Sequence, residues 1–291
     1  MATPDQSKLL VLLGTETEDN VFNKLNNLTL NKIFSEVTDD YNAKNRIIAS
    51  EDAYRIVTTT NWYPRNFLLK FPPSKNRNIN MMPFKLFDVE NTLPADLYDY
   101  IKIIYKCLII KSRYEHPDKK IGYLTIHECD VEANTSQRRP GLHIERPCLK
   151  VDSQIFKQGS EEYASLAWGL GYLYKDYPQD GIYIASNVDD STAVYSALVN
   201  EPEKVTDKHG SIEHLKHRLD HLKSYNLKAN ELCWITDRTP HESLPVTKPV
   251  HRQFFRLVVG PISVWYSKHN TPNPLGILPD APISDINKFD L

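Results

Sequence analysis

Gly122-Tyr123-Leu124-Thr125-Ile126-His127 alternates polar and apolar side chains, and that alternation decides the fold class. Residues two apart on an extended chain share a face, so a period of two marks a strand rather than a helix. The signature returns in Gly181-Ile182-Tyr183-Ile184-Ala185-Ser186-Asn187. Leu232-Cys233-Trp234-Ile235-Thr236 and Gln253-Phe254-Phe255-Arg256-Leu257-Val258-Val259 are β-rich, and Ile262-Ser263-Val264-Trp265-Tyr266 follows them. Pro and Gly punctuate these runs, as turns require.

Outward from these strands, two segments read as helices. From Pro94 to Arg113, Leu97, Ile101, Ile104, Tyr105 and Leu108 fall on one stripe. From Ser211 to Ser224, Ile212, Leu215, Leu219 and Leu222 form an inner face. Residues 15–95 are rich in Asn, Asp, Thr and Lys, with Phe71-Pro72-Pro73-Ser74-Lys75 among them, and read as irregular structure with short elements. The expectation is a single domain over 1–291, mainly β with flanking helices. A mixed N-terminal extension reaches to about 115, a strand-rich core runs from about 120 to 268, and a tail occupies 269–291. Many short strands with a few helices imply a β-sandwich or barrel.

The bulk properties exclude several classes. Net charge is −2, from 35 Lys+Arg against 37 Asp+Glu, so neither nucleic acid nor an anionic membrane is expected as a partner. No apolar run approaches the roughly 18 residues of a membrane span. The run Lys8-Leu9-Leu10-Val11-Leu12-Leu13 is too short and too weakly flanked to read as a signal peptide. Cys107, Cys129, Cys148 and Cys233 are scattered without a C-x-x-C pair, which argues against a zinc ribbon or a disulfide framework. The expectation is a cytoplasmic protein.

Chemistry enters at Arg138-Arg139-Pro140-Gly141-Leu142-His143-Ile144-Glu145-Arg146-Pro147. On an extended chain His143 and Glu145 point the same way and present an imidazole beside a carboxylate. Thr236-Asp237-Arg238-Thr239-Pro240-His241-Glu242-Ser243 supplies a second histidine after a β-rich run. Two histidines and one carboxylate make a facial triad with open positions, the donor set of non-haem iron(II) oxygenases. Arg252, at the start of the following strand, is placed to return a bidentate-capable guanidinium beside the metal.

These residues resemble the iron(II)- and 2-oxoglutarate-dependent oxygenase superfamily: H-x-D or H-x-E, then a distal His, then an Arg ten to fifteen residues on. The glutamate form is similar to the clavaminate-synthase-type branch, and the motifs span 143 to 252. The resemblance implies a double-stranded β-helix (jelly roll, cupin-like) and a dioxygenase using Fe(II), dioxygen and 2-oxoglutarate to oxidise a small substrate. It implies His143, Glu145 and His241 as metal ligands and Arg252 as the 2-oxoglutarate anchor. Glu145 stands where Asp is commoner, so the pocket must accommodate an extra methylene.

Arg256 shares a strand face with Arg252 and Phe254, and two interior arginines each need an anion. Some taurine-dioxygenase-type members hold the substrate's acid group in this way, which makes Arg256 a candidate anchor for an anionic or zwitterionic substrate. Asp237 is its rival protein partner. Tyr183 and Asn187 share a face and become substrate-binding candidates if that face points inward. Other groups have plainer readings. Arg138 and Arg139 either line the entrance or form a solvated basic pair, the latter being the plainer reading; Trp265 and Tyr266 read as sheet core, and His214, His217 and His221 as one exposed helical face. Two other functions fit the same strands: a cupin-like iron dioxygenase without 2-oxoglutarate, or a non-catalytic β-sandwich binding protein with structural histidines.

Overall fold

The computed structural model describes residues 46–59, 68–108, 120–150, 163–175 and 177–287. The chain divides into two compact units, Met1–Arg46 and Ile47–Leu291, and the second is described here. The apolar run Lys8 to Leu13 and residues 109–113 of the expected first helix lie outside the described residues.

The unit is mainly β. Its principal strands are β1 (Tyr54–Ile56), β2 (Asn78–Lys85), β3 (Ile121–Val131), β4 (Ile182–Ser186), β5 (Thr192–Tyr195), β6 (Ser224–Asn226), β7 (Leu232–Ile235), β8 (His241–Ser243) and β9 (Val250–Val258). A six-stranded sheet has the order β1-β7-β4-β9-β3-β2, all antiparallel. A smaller sheet has the order β6-β5-β8, and His143 bridges to β8 as its next member.

The large sheet is covered on both faces, and this explains its sequence. On β4, Tyr183 and Ala185 join Trp234 of β7 and Phe255 and Leu257 of β9 in one core, beneath a helical segment. Ile182 and Ile184 point the other way, with Cys233, Ile235, Phe254 and Val258, toward the small sheet and the C-terminal segment. The period of two therefore sorts side chains between two interiors rather than between interior and water. Burying both faces is why β4 is buried at every position.

The helical segment is the first of those expected from sequence. It opens as a 3-10 helix, Ala95–Tyr100, and continues as α1 (Ile101–Leu108), burying Leu97, Tyr100, Ile103, Ile104 and Cys107. The second differs from expectation. Only Glu213–Arg218 is helical, and that as a 3-10 turn, while Ser224 already belongs to β6. Ser224–Asn226 must extend to pair with Tyr195–Ala193 of β5, and the preceding turns close on i→i+3 bonds such as Leu219 N–H to Lys216 C=O. Ile212, Leu215 and Leu219 are buried as the pattern requires.

Described residues before 120 contribute strands to the large sheet. β1 and β2 form the two edges of the large sheet. β2 shifts register between Ile79 and Met82, with Met81 in the left-handed region at φ 48°. That bulge directs Asn78, Asn80 and Met81 to the cavity described below. The four cysteines are free, and no helix among the described residues is long and apolar enough to cross a membrane.

Candidate metal centre

His143 is placed by main-chain bonds rather than by a long strand. Its N–H donates to the His241 carbonyl and the His241 N–H donates back, both at 3.0 Å. Two residues that exchange both bonds stand directly opposite one another, with side chains on the same side of the ladder. The imidazole centroids are consequently 4.5 Å apart.

Each imidazole is oriented by a backbone carbonyl two residues upstream. His143 Nδ1 lies 2.7 Å from the Gly141 oxygen, and His241 Nδ1 lies 2.9 Å from the Thr239 oxygen. A carbonyl only accepts, so Nδ1 carries the proton in both rings and Nε2 presents a lone pair. That is the tautomer a metal requires, fixed before any ion arrives. Gly141 makes this possible: its φ of +84° turns the carbonyl toward the ring, in a region where a side chain would be strained. Burial holds the His143 imidazolium well below its usual pKa, and His241 and Arg139 press in the same direction.

Glu145 completes the cluster. Its carboxylate Oε1 is 3.8 Å from His241 Nε2, and one donor atom from each of His143, Glu145 and His241 lies within 4.8 Å of the others. This group can hold a metal ion. An ion with bonds near 2 Å would draw the donors to roughly 3 Å of one another, a contraction within reach of side-chain rotation. The extra methylene of Glu145 is taken up by reaching Arg256, whose Nη1 donates to Oε1 at 2.6 Å. A carboxylate has two oxygens, so Glu145 can bind an ion and keep Arg256.

The cluster opens into a cavity of about 410 Å³ between the two sheets. Arg252 lines it and is wholly buried. Its guanidinium donates to the hydroxyls of Ser186, Thr192 and Ser243 at 3.1–3.3 Å, and to the Ser191 carbonyl. No carboxylate among the described residues stands within ion-pair range of it. Burial lowers its pKa to about 10, the mark of a cation without a counter-charge.

Other candidates fall elsewhere. Tyr183 does not line the cavity; it is packed in the core under α1, because that face of β4 points away from the small sheet. Asn187 does not line it either. Its amide is spent on β9, accepting from Gln253 N–H at 2.7 Å and donating to the His251 carbonyl. The face of β4 that reaches the cavity carries Ile184 and Ser186. Asp237 is buried beside Arg146 at 3.3 Å and is not in the metal cluster, nor does it meet Arg256. His214, His217 and His221 are exposed, and Trp265 and Tyr266 are buried.

For Arg138, sequence reasoning favoured solvent over the entrance. Set aside there as a solvated pair with Arg139, it is half-buried and lines the cavity. Its position five residues before His143, in a segment that must fold back to place that histidine, was the available signal. No family model matches this chain, and neither a curated protein nor a solved structure matches it.

Proposed function

We propose that this protein is a mononuclear non-haem iron(II)- and 2-oxoglutarate-dependent oxygenase acting on a small organic substrate. The observation that carries the reading is Arg252, a buried guanidinium without a protein counter-ion in the same cavity as the His143–Glu145–His241 group. A buried charge persists when a ligand supplies its partner, and a guanidinium takes a carboxylate with two parallel hydrogen bonds. A cupin-like enzyme without a keto acid, or a binding protein with structural histidines, leaves that charge unexplained.

The strand arrangement supports a double-stranded β-helix. From β3 onward the chain runs large sheet, small sheet (the His143 segment), large (β4), small (β5 and β6), large (β7), small (β8), large (β9). Such interleaving of seven strands and the His143 bridge between two sheets fits the jelly-roll pattern.

The chain's own residues have definable tasks. His143 and His241 offer Nε2 and Glu145 an oxygen on one side of the site, leaving the cavity side for substrates. Arg252 binds and orients the distal carboxylate of 2-oxoglutarate, while Ser186, Thr192 and Ser243 hold the guanidinium in place. Phe254 and Val258 supply apolar wall beside it and exclude water. The bound iron would couple the two-electron oxidation of 2-oxoglutarate to succinate and carbon dioxide with insertion of the second oxygen atom of dioxygen into a substrate C–H bond.

The test is an anaerobic titration with iron(II) and then 2-oxoglutarate. The expected result is stoichiometric binding of both and a visible charge-transfer band from the chelated keto acid. Iron binding without that band would remove the co-substrate from the reading; absence of iron binding would remove the reading itself.

A further inference from the structure

The cavity is lined by four guanidiniums, from Arg138, Arg139, Arg252 and Arg256, and by only two carboxylates, Glu145 and Glu242. Three of the guanidiniums have hydrogen-bond partners in the protein. Arg139 donates to the His209 carbonyl at 2.6 Å, Arg252 to its hydroxyl cradle, and Arg256 to Glu145. Glu242 is also occupied, accepting from Tyr195 at 2.6 Å and from Lys216 at 2.7 Å. Arg138 is the exception: it has neither a hydrogen bond nor an ion pair among the described residues. Its guanidinium lies 5.2 Å from the centre of the Phe254 ring, the same ring that Arg252 approaches at 5.5 Å.

The position is built. Gln137, next in the chain, donates from Nε2 to the carbonyls of His127 on β3 and Arg252 on β9, at 3.0 and 2.9 Å. The residue before Arg138 is thereby fastened across two strands of the large sheet. Burial and the charges of Arg256, Arg252 and Arg139 all disfavour the Arg138 cation, and its pKa falls to about 10. Glu145 opposes that fall, but its carboxylate is already engaged by Arg256.

Other residues lining the cavity hold polar atoms that are buried without a hydrogen-bond partner. Among them are Gln137 Oε1, Asn270 Nδ2 and Arg256 Nε. Gln137 Oε1 asks for a donor, and Asn270 Nδ2 and Arg256 Nε ask for acceptors. Under the oxygenase reading the two positive charges of the ion and the two negative charges of 2-oxoglutarate cancel. The excess of guanidinium over carboxylate therefore remains for the substrate to meet.

We infer that Arg138 anchors an acid group of the substrate, a small organic acid that also carries an O–H or N–H donor for Gln137. This deepens the oxygenase reading, on which the identity of the ligand as substrate rests. It moves the anchoring role from Arg256, which Glu145 already engages, to a residue outside the strand that carries Arg252.

Ligand-observed NMR on the metal-free protein tests this with millimolar butanoate, 3-hydroxybutanoate and butanamide as probes. Wild type is expected to bind both acids more tightly than the neutral amide, and 3-hydroxybutanoate more tightly than butanoate. Arg138→Gln should weaken acid binding at least ten-fold, whereas Arg138→Lys should keep most of it, which separates loss of charge from loss of fold. Arg252→Gln should abolish binding of 2-oxoglutarate to the iron(II)-loaded protein. The inference is overturned if wild type binds no acid, if it binds amide as well as acid, or if Arg138→Gln binds acid like wild type. Arg138-dependent acid binding in a protein that never takes 2-oxoglutarate would support the anchor and sink the oxygenase reading instead.

Discussion

The main chains of His143 and His241 exchange both of their hydrogen bonds, each N–H meeting the other's carbonyl at 3.0 Å. Two residues nearly a hundred positions apart in sequence are thus set opposite one another by backbone alone, and their rings need only the carbonyls of Gly141 and Thr239 to align. Side-chain replacement at either position leaves this ladder intact. His143→Ala and His241→Ala are each expected to abolish stoichiometric iron(II) binding while shifting the melting temperature by only a few degrees. Anaerobic metal titration with a thermal melt on the same samples checks both; wild-type iron affinity in either variant would refute the ligand assignment.

Arg252 should separate stability from binding. Removing a buried cation that has no protein counter-ion relieves a desolvation cost, and a hydrophobic residue of similar length often leaves a protein as stable or more so. Arg252→Met is therefore expected to melt no lower than wild type without ligand. It should need roughly a hundred-fold more 2-oxoglutarate, since charge-assisted hydrogen bonds contribute about 1.5–3 kcal/mol each. Unaltered keto-acid affinity would move the role elsewhere.

Glu128 predicts an acid limb in the stability profile. It lies buried on β3, where burial alone would raise its pKa. The backbone N–H groups of Arg77 and Lys75 and the side chains of Tyr100 and Gln253 outweigh burial and lower it to about 2. A carboxylate with a depressed folded-state pKa contributes stability above its unfolded value near 4.5 and loses that contribution as pH falls toward 2. Denaturant melts between pH 7 and pH 2 should show that loss in wild type and a flatter profile in Glu128→Gln. Glu128→Ala leaves the Arg77 and Lys75 N–H groups and the Tyr100 hydroxyl without their acceptor, while Asp99 still pairs Arg77, and should cost about 1–3 kcal/mol at neutral pH.

Gly181 carries a fourth prediction. It sits at φ +83° at the start of β4, and a Cβ there would run into the indole of Trp234, whose Nε1 donates to the Asp180 carbonyl at 2.8 Å. Gly181→Ala combines a strained backbone with an overpacked core and should cost about 2–4 kcal/mol. A chemical denaturation midpoint equal to wild type would show that the indole has room to move.

The strands were legible because their period of two survives burial on both faces; Tyr123 to His127 and Ile182 to Asn187 are strand or strand end in fact. What the period does not reveal is which of two interiors a face meets. Tyr183 and Asn187 were placed with the ligand for that reason, when Ile184 is the β4 residue that lines the cavity and Ser186 meets it only through Arg252. The histidines and Glu145 were readable from spacing, because an extended chain and a strand end leave few ways to point. Arg138 was legible only through its place five residues before His143, since its burial depends on Gln137 bridging β3 and β9, a tertiary bond. The Ser211 to Ser224 helix shrank to a 3-10 turn where strand pairing by β6 overrode an amphipathic period.

β9 lies between β3 and β4 and is bonded along most of its length on both sides. Its amides should be among the last to exchange with deuterated solvent, opening only when the whole unit opens. Arg252 hangs from this strand, whereas Arg138 hangs from the irregular segment between β3 and His143, fastened by bonds from Asn134, Thr135, Gln137 and Arg139. One pole of the cavity is therefore as rigid as the protein itself, and the other is held by a few bonds that a local fluctuation can release. Deuterium uptake resolved by peptide should separate the two poles by orders of magnitude in rate. The keto acid would then meet a finished seat, and the second acid would meet one that closes around it.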